Sequence, residues 1–197
     1  MMVQCYSVRG LQVVAAYNIS STVSNLFNVV FISLGAAIGI LIGQLLGANK
    51  LEEAVEQDRK MIVFAVFSCF VVGVIMAVIA PLFPQIYKTE NEVRELARNL
   101  LFVSAACMPL YGFTNASYFT MRSGGKTFIT FLFDSFFVWT ICVPLAYVLS
   151  RYTDIPIIPL FIICQMTELA KCTIGYILLK KKVWVHNIVT STEKVEV

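Results

Sequence analysis

The chain has 197 residues, of which 58% are hydrophobic and only 14% are charged, whereas soluble domains average about 45–50% apolar and about 25% charged residues. Its mean hydropathy is +0.79, and its charged residues form short clusters between long uncharged stretches, which is typical of membrane proteins. The formal net charge of +3 is too small and too dispersed for a nucleic-acid-binding surface, so no nucleic-acid partner is expected.

Five uncharged or weakly charged stretches are long enough to cross a bilayer, which takes roughly 20 apolar residues. In chain order they run between Arg9 and Lys50, from Met61 to Tyr87, from Asn99 to Met121, from Thr127 to Ser150 and from Ile155 to Leu179. The sequence therefore predicts an all-α integral membrane protein with five transmembrane helices. We expect one helical lobe over residues 1–182 and a cytoplasmic tail over residues 183–197.

Two local patterns refine this prediction. The mixed-charge segment Lys88 to Arg98 favours a helix that continues into the third span. The first span carries glycines at every fourth position, and this spacing forms three overlapping GxxxG units, which allow close contact between membrane helices. These glycines, which we expect at a helix-packing face, are Gly35, Gly39, Gly43 and Gly47.

Amide side chains are predicted to face a polar interior. Asn25 and Asn28 continue the glycine face of the first helix, Asn115 follows Pro109 in the third, and Gln165 lies in the fifth. Polar groups at membrane depth need partners or water. They therefore either line a substrate cavity or form hydrogen bonds between helices, and the sequence leaves both interpretations open.

Carboxylates lie within two of the spans, Asp134 in the fourth and Glu168 in the fifth. An ionised side chain at the bilayer centre costs at least roughly 2.5 kcal/mol, so such residues are often functional. Both are candidates for coupling transport to a cation, and a carboxylate in this position can exchange a proton. Two structural alternatives remain open: Asp134 caps a helix end, and Glu168 only neutralises Lys171 one turn away.

Patterns for enzymatic chemistry are missing from the sequence. Gly125 to Thr127 read GKT but lack the first glycine of a phosphate-binding loop, His186 has no neighbouring ligand type, and the cysteines form no CxxC pair. We therefore expect neither an enzyme nor a cofactor, and we assign no metal site with certainty. The expected coupling ion is a proton or sodium.

The distribution of Lys and Arg predicts the orientation, because cytoplasmic loops carry an excess of both. One side collects Lys50, Arg59, Lys60, Arg122, Lys126 and Lys180 to Lys182, and the other collects Arg9, Lys88, Arg94, Arg98 and Arg151. The first side is predicted to be cytoplasmic, which places Met1 outside and Val197 inside a cytoplasmic membrane. We expect a further helix before Met1, and Trp184 is predicted to anchor the last helix at the lipid interface.

Three tracts resemble those of one known family. AAYNISSTVSNLFNVVFISLGAAIGILIGQLLGANKLEEA, Ala15 to Ala54, is similar to the second helix and following cytoplasmic loop of one half of a multidrug and toxic compound extrusion (MATE) transporter. MRSGGKT, Met121 to Thr127, and FDSFFVWTICVPLAY, Phe133 to Tyr147, resemble a loop and the eleventh helix of the same family. The resemblance covers nearly the whole chain.

The resemblance implies a fold and a function. Family members have two six-helix lobes that alternate access and export cationic, amphipathic compounds in exchange for protons or sodium. The five spans would match the eighth to twelfth helices, with Tyr6 to Tyr17 as the outer loop before the eighth, and the amino-terminal lobe and the seventh helix would be missing partners. The alternatives are a lipid-linked sugar flippase of the same superfamily and a structural membrane fragment without independent transport.

Overall fold

The computed structural model describes residues 6–7, 10–153 and 155–185. Within these ranges the protein is helical and contains no strand. The long helices are α1 (Leu11–Gly47), α2 (Leu51–Ile79), α3 (Asn91–Ser123), α4 (Thr127–Tyr152) and α5 (Ile157–Lys180), and a short 3-10 helix, Phe83–Ile86, precedes α3. All five are long and apolar enough to cross a membrane. The predicted fold class is confirmed.

Helix α1 begins earlier than expected. The segment Tyr6 to Tyr17 was predicted to be an outer loop, but α1 begins at Leu11, so this prediction is wrong for residues 11–17. The segment after Gly10 has no helix breaker, and Val13 and Ala16 are buried in a cluster with Val93 of α3 and Leu160 of α5. Tertiary packing therefore extends the helix to 37 residues, about 55 Å at 1.5 Å per residue.

Helix α3 is the centre of the bundle, since it packs against α1, α2 and α5. The charged lead-in is helical from Asn91 onward and continues without a break into the apolar span, as predicted, whereas Lys88 to Glu90 precede the helix. Pro109 lies inside α3 and has no N–H to donate to the Ala105 carbonyl. Gly73 of α2 lies against that carbonyl, where a Cβ would stand only 2.7 Å from the oxygen. One turn further along α3, a Cβ on Gly112 would stand 2.7 Å from the Cys69 sulfur.

Of the four glycines predicted at the packing face of α1, Gly35, Gly39 and Gly43 face α3 with increasing space around them, whereas Gly47 is exposed and does not contact it. A Cβ on Gly35 would collide with the Phe119 ring, and one on Gly39 would lie 3.4 Å from the same ring. At Gly43 the nearest atom would be the Ser123 Cβ at 4.0 Å, and no atom of the described residues lies within 4 Å at Gly47. The tight part of the α1–α3 contact is thus at Gly35 and Gly39.

Helix α4 is irregular in its middle. Two π-helical segments, Leu132–Phe136 and Val138–Cys142, interrupt the α-helical geometry, and π-helical turns are rare and occur often at functional sites. Asp134 lies in the first of them. The outer side of α4 exposes Phe128, Phe131 and Trp139, which suits a lipid-facing surface.

The loops lie at two opposite ends of the bundle and are divided between these ends as the distribution of Lys and Arg predicted. At one end Gln12 donates a hydrogen bond of 2.8 Å to Glu90, and at the other Trp184 packs against Gly124. Trp184 is only 2% exposed, so its prediction as a lipid anchor is wrong: because Gly124 has no side chain, the Trp184 backbone and Cβ pack directly against the end of α3. Residues 186–197 of the tail, which include His186, lie outside the described residues, as does Arg9.

Candidate functional site

Two adjoining cavities lie between α1, α3, α4 and α5. The first, here called the amide cavity, has a volume of about 330 Å³ and is lined on one side by Asn25 and Asn28 and on the other by Gln165. The second, here called the lysine cavity, has a volume of about 360 Å³ and is lined by Asn115 and Lys171 among others. Tyr111 and Glu168 border both cavities, so the two spaces meet at these side chains.

The amide cavity has a polar wall that α1 contributes. Asn28 Nδ2 donates a hydrogen bond of 3.2 Å to Asn25 Oδ1, and Ser20, Ser21 and Ser24 extend the same wall. Gln165 of α5 and Tyr111 of α3 line the same cavity. The structure thus brings three of the four predicted amides to one space of a size suited to a small organic molecule.

Asn115, the fourth predicted amide, faces the lysine cavity instead. Its Nδ2 donates a hydrogen bond of 3.1 Å to the Tyr111 carbonyl of its own helix, which leaves the side-chain oxygen for the cavity. Arg122, which the sequence assigned only to the cytoplasmic loop charge, lines this cavity as well. The lysine cavity therefore holds charges of both signs.

A cluster of three charged side chains joins α4 to α5. Lys171 Nζ lies 3.1 Å from Asp134 Oδ1 and 3.9 Å from Glu168 Oε1. Lys171 is 7% exposed, and its ammonium lies 5.6 Å from the centre of the Phe137 ring. The sequence suggested Glu168 as the partner of Lys171, but the closer partner is Asp134 on the neighbouring helix. Formally, two carboxylates and one ammonium leave the cluster with one negative charge.

Another buried carboxylate, Asp58, was not predicted from the sequence. It is 4% exposed and accepts a hydrogen bond of 2.6 Å from the Thr120 hydroxyl, which joins α2 to α3. Asp58 lies in a run of charged residues before the second predicted span, and the sequence pattern drew no attention to it. Its spacing of four residues from buried Ala54 and Ile62 was the available signal, because this spacing keeps residues on one helix face.

Comparison with known proteins agrees with the earlier resemblance. The MatE family profile matches residues 1–148, which is most of the 197-residue chain. The chain belongs to the MatE family. The MatE match ends within α4, so Gln165, Glu168 and Lys171 on α5 lie beyond it.

A relative from Bacillus subtilis (strain 168), the probable multidrug resistance protein YoeA, is 26% identical over 157 residues. The alignment covers 78% of this MatE chain and 33% of the relative, so the chain spans about a third of that protein's length. No solved structure matches the chain. Family membership and five long apolar helices together identify a multi-pass membrane protein.

Proposed function

We propose that this chain is part of a secondary active antiporter that exports cationic, amphipathic drugs or toxins in exchange for protons or sodium. The observation that supports the proposal best is the position of Glu168. This carboxylate belongs to a membrane-spanning helix, α5, and lies where the two cavities meet. Membership in the MatE family and the name of the multidrug resistance relative support the same function.

The cavities suit amphipathic cations on chemical grounds. Phe31, Phe161 and Tyr17 supply aromatic surface in the amide cavity, which attracts both apolar groups and cations. Glu168 supplies a negative charge in the lining of the same cavity. A cationic compound and a coupling ion that compete for the same carboxylate exclude each other, and this competition is the basis of exchange transport.

The energy required is available from a modest gradient. A proton that moves down a gradient of one pH unit releases about 1.4 kcal/mol, which is the free energy of a tenfold concentration ratio. One proton per exported molecule therefore supports tenfold extrusion for each pH unit.

A lipid-linked sugar flippase is a second candidate, and Arg122 together with Lys171 in the lysine cavity favours it, because anionic diphosphate groups bind to such cations. The amide cavity, with its aromatic surface and Glu168, fits cationic compounds better. A flippase would translocate a fluorescent lipid diphosphate but not a cationic dye.

The deciding experiment is dye efflux from proteoliposomes that contain the complete transporter. We expect an imposed proton or sodium gradient to drive export of a fluorescent cation such as ethidium, and dissipation of the gradient by an ionophore to stop it. Equal rates with and without both gradients would contradict exchange transport.

A further inference from the structure

We propose that the Lys171 ammonium occupies the cation position between Asp134 and Glu168, so that this centre excludes sodium and exchanges a proton. The inference rests on the proposed antiport function and specifies its coupling ion. It concerns the three charged side chains that join α4 to α5, together with the lysine cavity that they line.

The geometry places the ammonium where a metal cation would otherwise bind. Lys171 Nζ is within 3.1 Å of Asp134 Oδ1 and within 3.9 Å of Glu168 Oε1, so it lies between carboxylates from two different helices. The Lys171 side chain is 8% exposed, and the Phe137 ring lies beside the ammonium. Since the lysine is attached to α5, it cannot leave the site by diffusion as a free ion can.

The surrounding oxygens would suit a hard cation if the lysine were absent. Thr114 and Asn115 of α3 line the same cavity as the two carboxylates, and carboxylate, amide and hydroxyl oxygens are the groups that hard cations prefer. With Lys171 present, a sodium ion at this position would lie a few ångströms from a fixed positive charge. Arg122 in the same cavity adds to the repulsion.

A proton avoids this conflict. The cluster has one carboxylate more than it has ammonium groups, and protonation of that carboxylate makes the cluster neutral without requiring space for another ion. The more distant partner, Glu168, is the acceptor because Asp134 forms the shorter ion pair.

Other ionisable groups near Glu168 do not change this charge count. Tyr111 and Cys107 face it from α3 and Cys172 from α5, and phenols and thiols are neutral at pH 7. Of the described residues that line the two cavities, those of α1 include no charged side chain. Asp134, Lys171 and Arg122 are the charged groups that remain. Arg122 lines the lysine cavity but forms no ion pair with either carboxylate among the described residues, so it is not counted in the cluster.

The test is equilibrium binding of radioactive sodium to the purified complete transporter at pH 7.5. We expect no saturable binding to the wild type, and saturable binding at millimolar sodium or below to Lys171→Gln and Lys171→Met. Lys181→Gln removes an exposed lysine just beyond the same helix and should behave as the wild type. Adding Asp134→Asn to Lys171→Gln should abolish the new binding.

Two results would overturn the proposal: saturable sodium binding to the wild type, or a folded Lys171→Gln variant that binds no more sodium than the wild type. If the lysine variants do not fold, dye efflux by the wild-type transporter tests the proposal. Efflux driven by a sodium gradient at equal pH contradicts the proposal, and efflux driven only by a proton gradient supports it. An absence of dye efflux would refute the antiport function, whereas the sodium measurement would still test the role of Lys171.

Discussion

A coupling role and a purely structural role for Glu168 predict opposite effects of its substitution. It borders both cavities, and Gln at this position keeps the shape of the side chain but cannot exchange a proton. We expect Glu168→Gln in the complete transporter to be expressed normally and to lose at least 90% of gradient-driven dye efflux, measured in proteoliposomes. Glu56→Gln is the matched control, because Glu56 is exposed on α2 and its ion-pair partner among the described residues is Lys60.

A structural role for Glu168 would give the opposite pattern. If Glu168→Gln exports dye at the wild-type rate while Lys171→Ala fails to fold, Glu168 only neutralises the lysine. The site assignment would then be wrong even though the family assignment would remain.

The Asp58–Thr120 hydrogen bond is expected to stabilise the contact between α2 and α3. Thr120→Val removes the hydroxyl donor and leaves the buried Asp58 carboxylate without this hydrogen bond, which lowers the free energy of unfolding by roughly 1–3 kcal/mol. We expect a lower thermal midpoint in detergent, measured by the fluorescence of a thiol-reactive dye. Thr173→Val is the control, since Thr173 is exposed and, within the part of the chain that the structure describes, its hydroxyl donates to the Leu169 carbonyl of its own helix. Equal thermal midpoints for Thr120→Val and Thr173→Val would show that the hydrogen bond from Thr120 to Asp58 does not stabilise the protein.

The candidate site could be predicted from the sequence only within single helices. Asn25, Asn28, Gln165 and Glu168 were identified because apolar spans make polar residues conspicuous. The pairing of Lys171 with Asp134 could not be predicted, since the register of α4 against α5 depends on tertiary packing. For the same reason the sequence suggested the intrahelical neighbour, Glu168, as the partner of the lysine.

Helices α2 and α3 cross closely at a glycine that the spacing argument did not identify. Gly73 is an isolated glycine, and its importance follows from the carbonyl that Pro109 leaves unpaired on α3. A methyl group there would be 2.7 Å from a backbone oxygen and 3.1 Å from the Met108 Cβ, and neither atom can move without displacing a helix.

We therefore expect Gly73→Ala to destabilise the protein by about 1–3 kcal/mol, as overpacking does, and to reduce the yield of monodisperse protein in size-exclusion chromatography. Gly47→Ala is the control, because no atom lies near that position among the described residues and alanine favours helix by about 0.5–1 kcal/mol. A normal elution profile for Gly73→Ala would contradict the close crossing.

The irregular geometry of α4 illustrates a limit of sequence analysis. Phe133 to Tyr147 resembles a family helix and is predominantly apolar, so it predicts a transmembrane helix correctly. Nothing in the composition distinguishes a π-helical turn from an α-helical one, because the difference is one residue in the hydrogen-bonding register. The existence of α4 was therefore predictable, whereas its two π-helical segments were not.

The distribution of loops over the two ends of the bundle predicts the orientation of the whole molecule. Lys88 lies at the end where Gln12 contacts Glu90, and Lys181 lies at the end where Trp184 contacts Gly124. On a background without reactive cysteines, we expect a membrane-impermeant maleimide to label Lys88→Cys in intact cells and to label Lys181→Cys only after permeabilisation. Both lysines are exposed, and the reverse labelling pattern would invert the topology.

The single excess negative charge of the Asp134–Glu168–Lys171 cluster also determines how transport should respond to voltage. If one proton enters for each monovalent cation that leaves, no net charge crosses the membrane, and the exchange is electroneutral. Export of a dication for one proton would instead carry a positive charge outward. In proteoliposomes clamped with potassium and valinomycin, an inside-negative potential should leave monocation efflux unchanged and slow that of a dicationic dye.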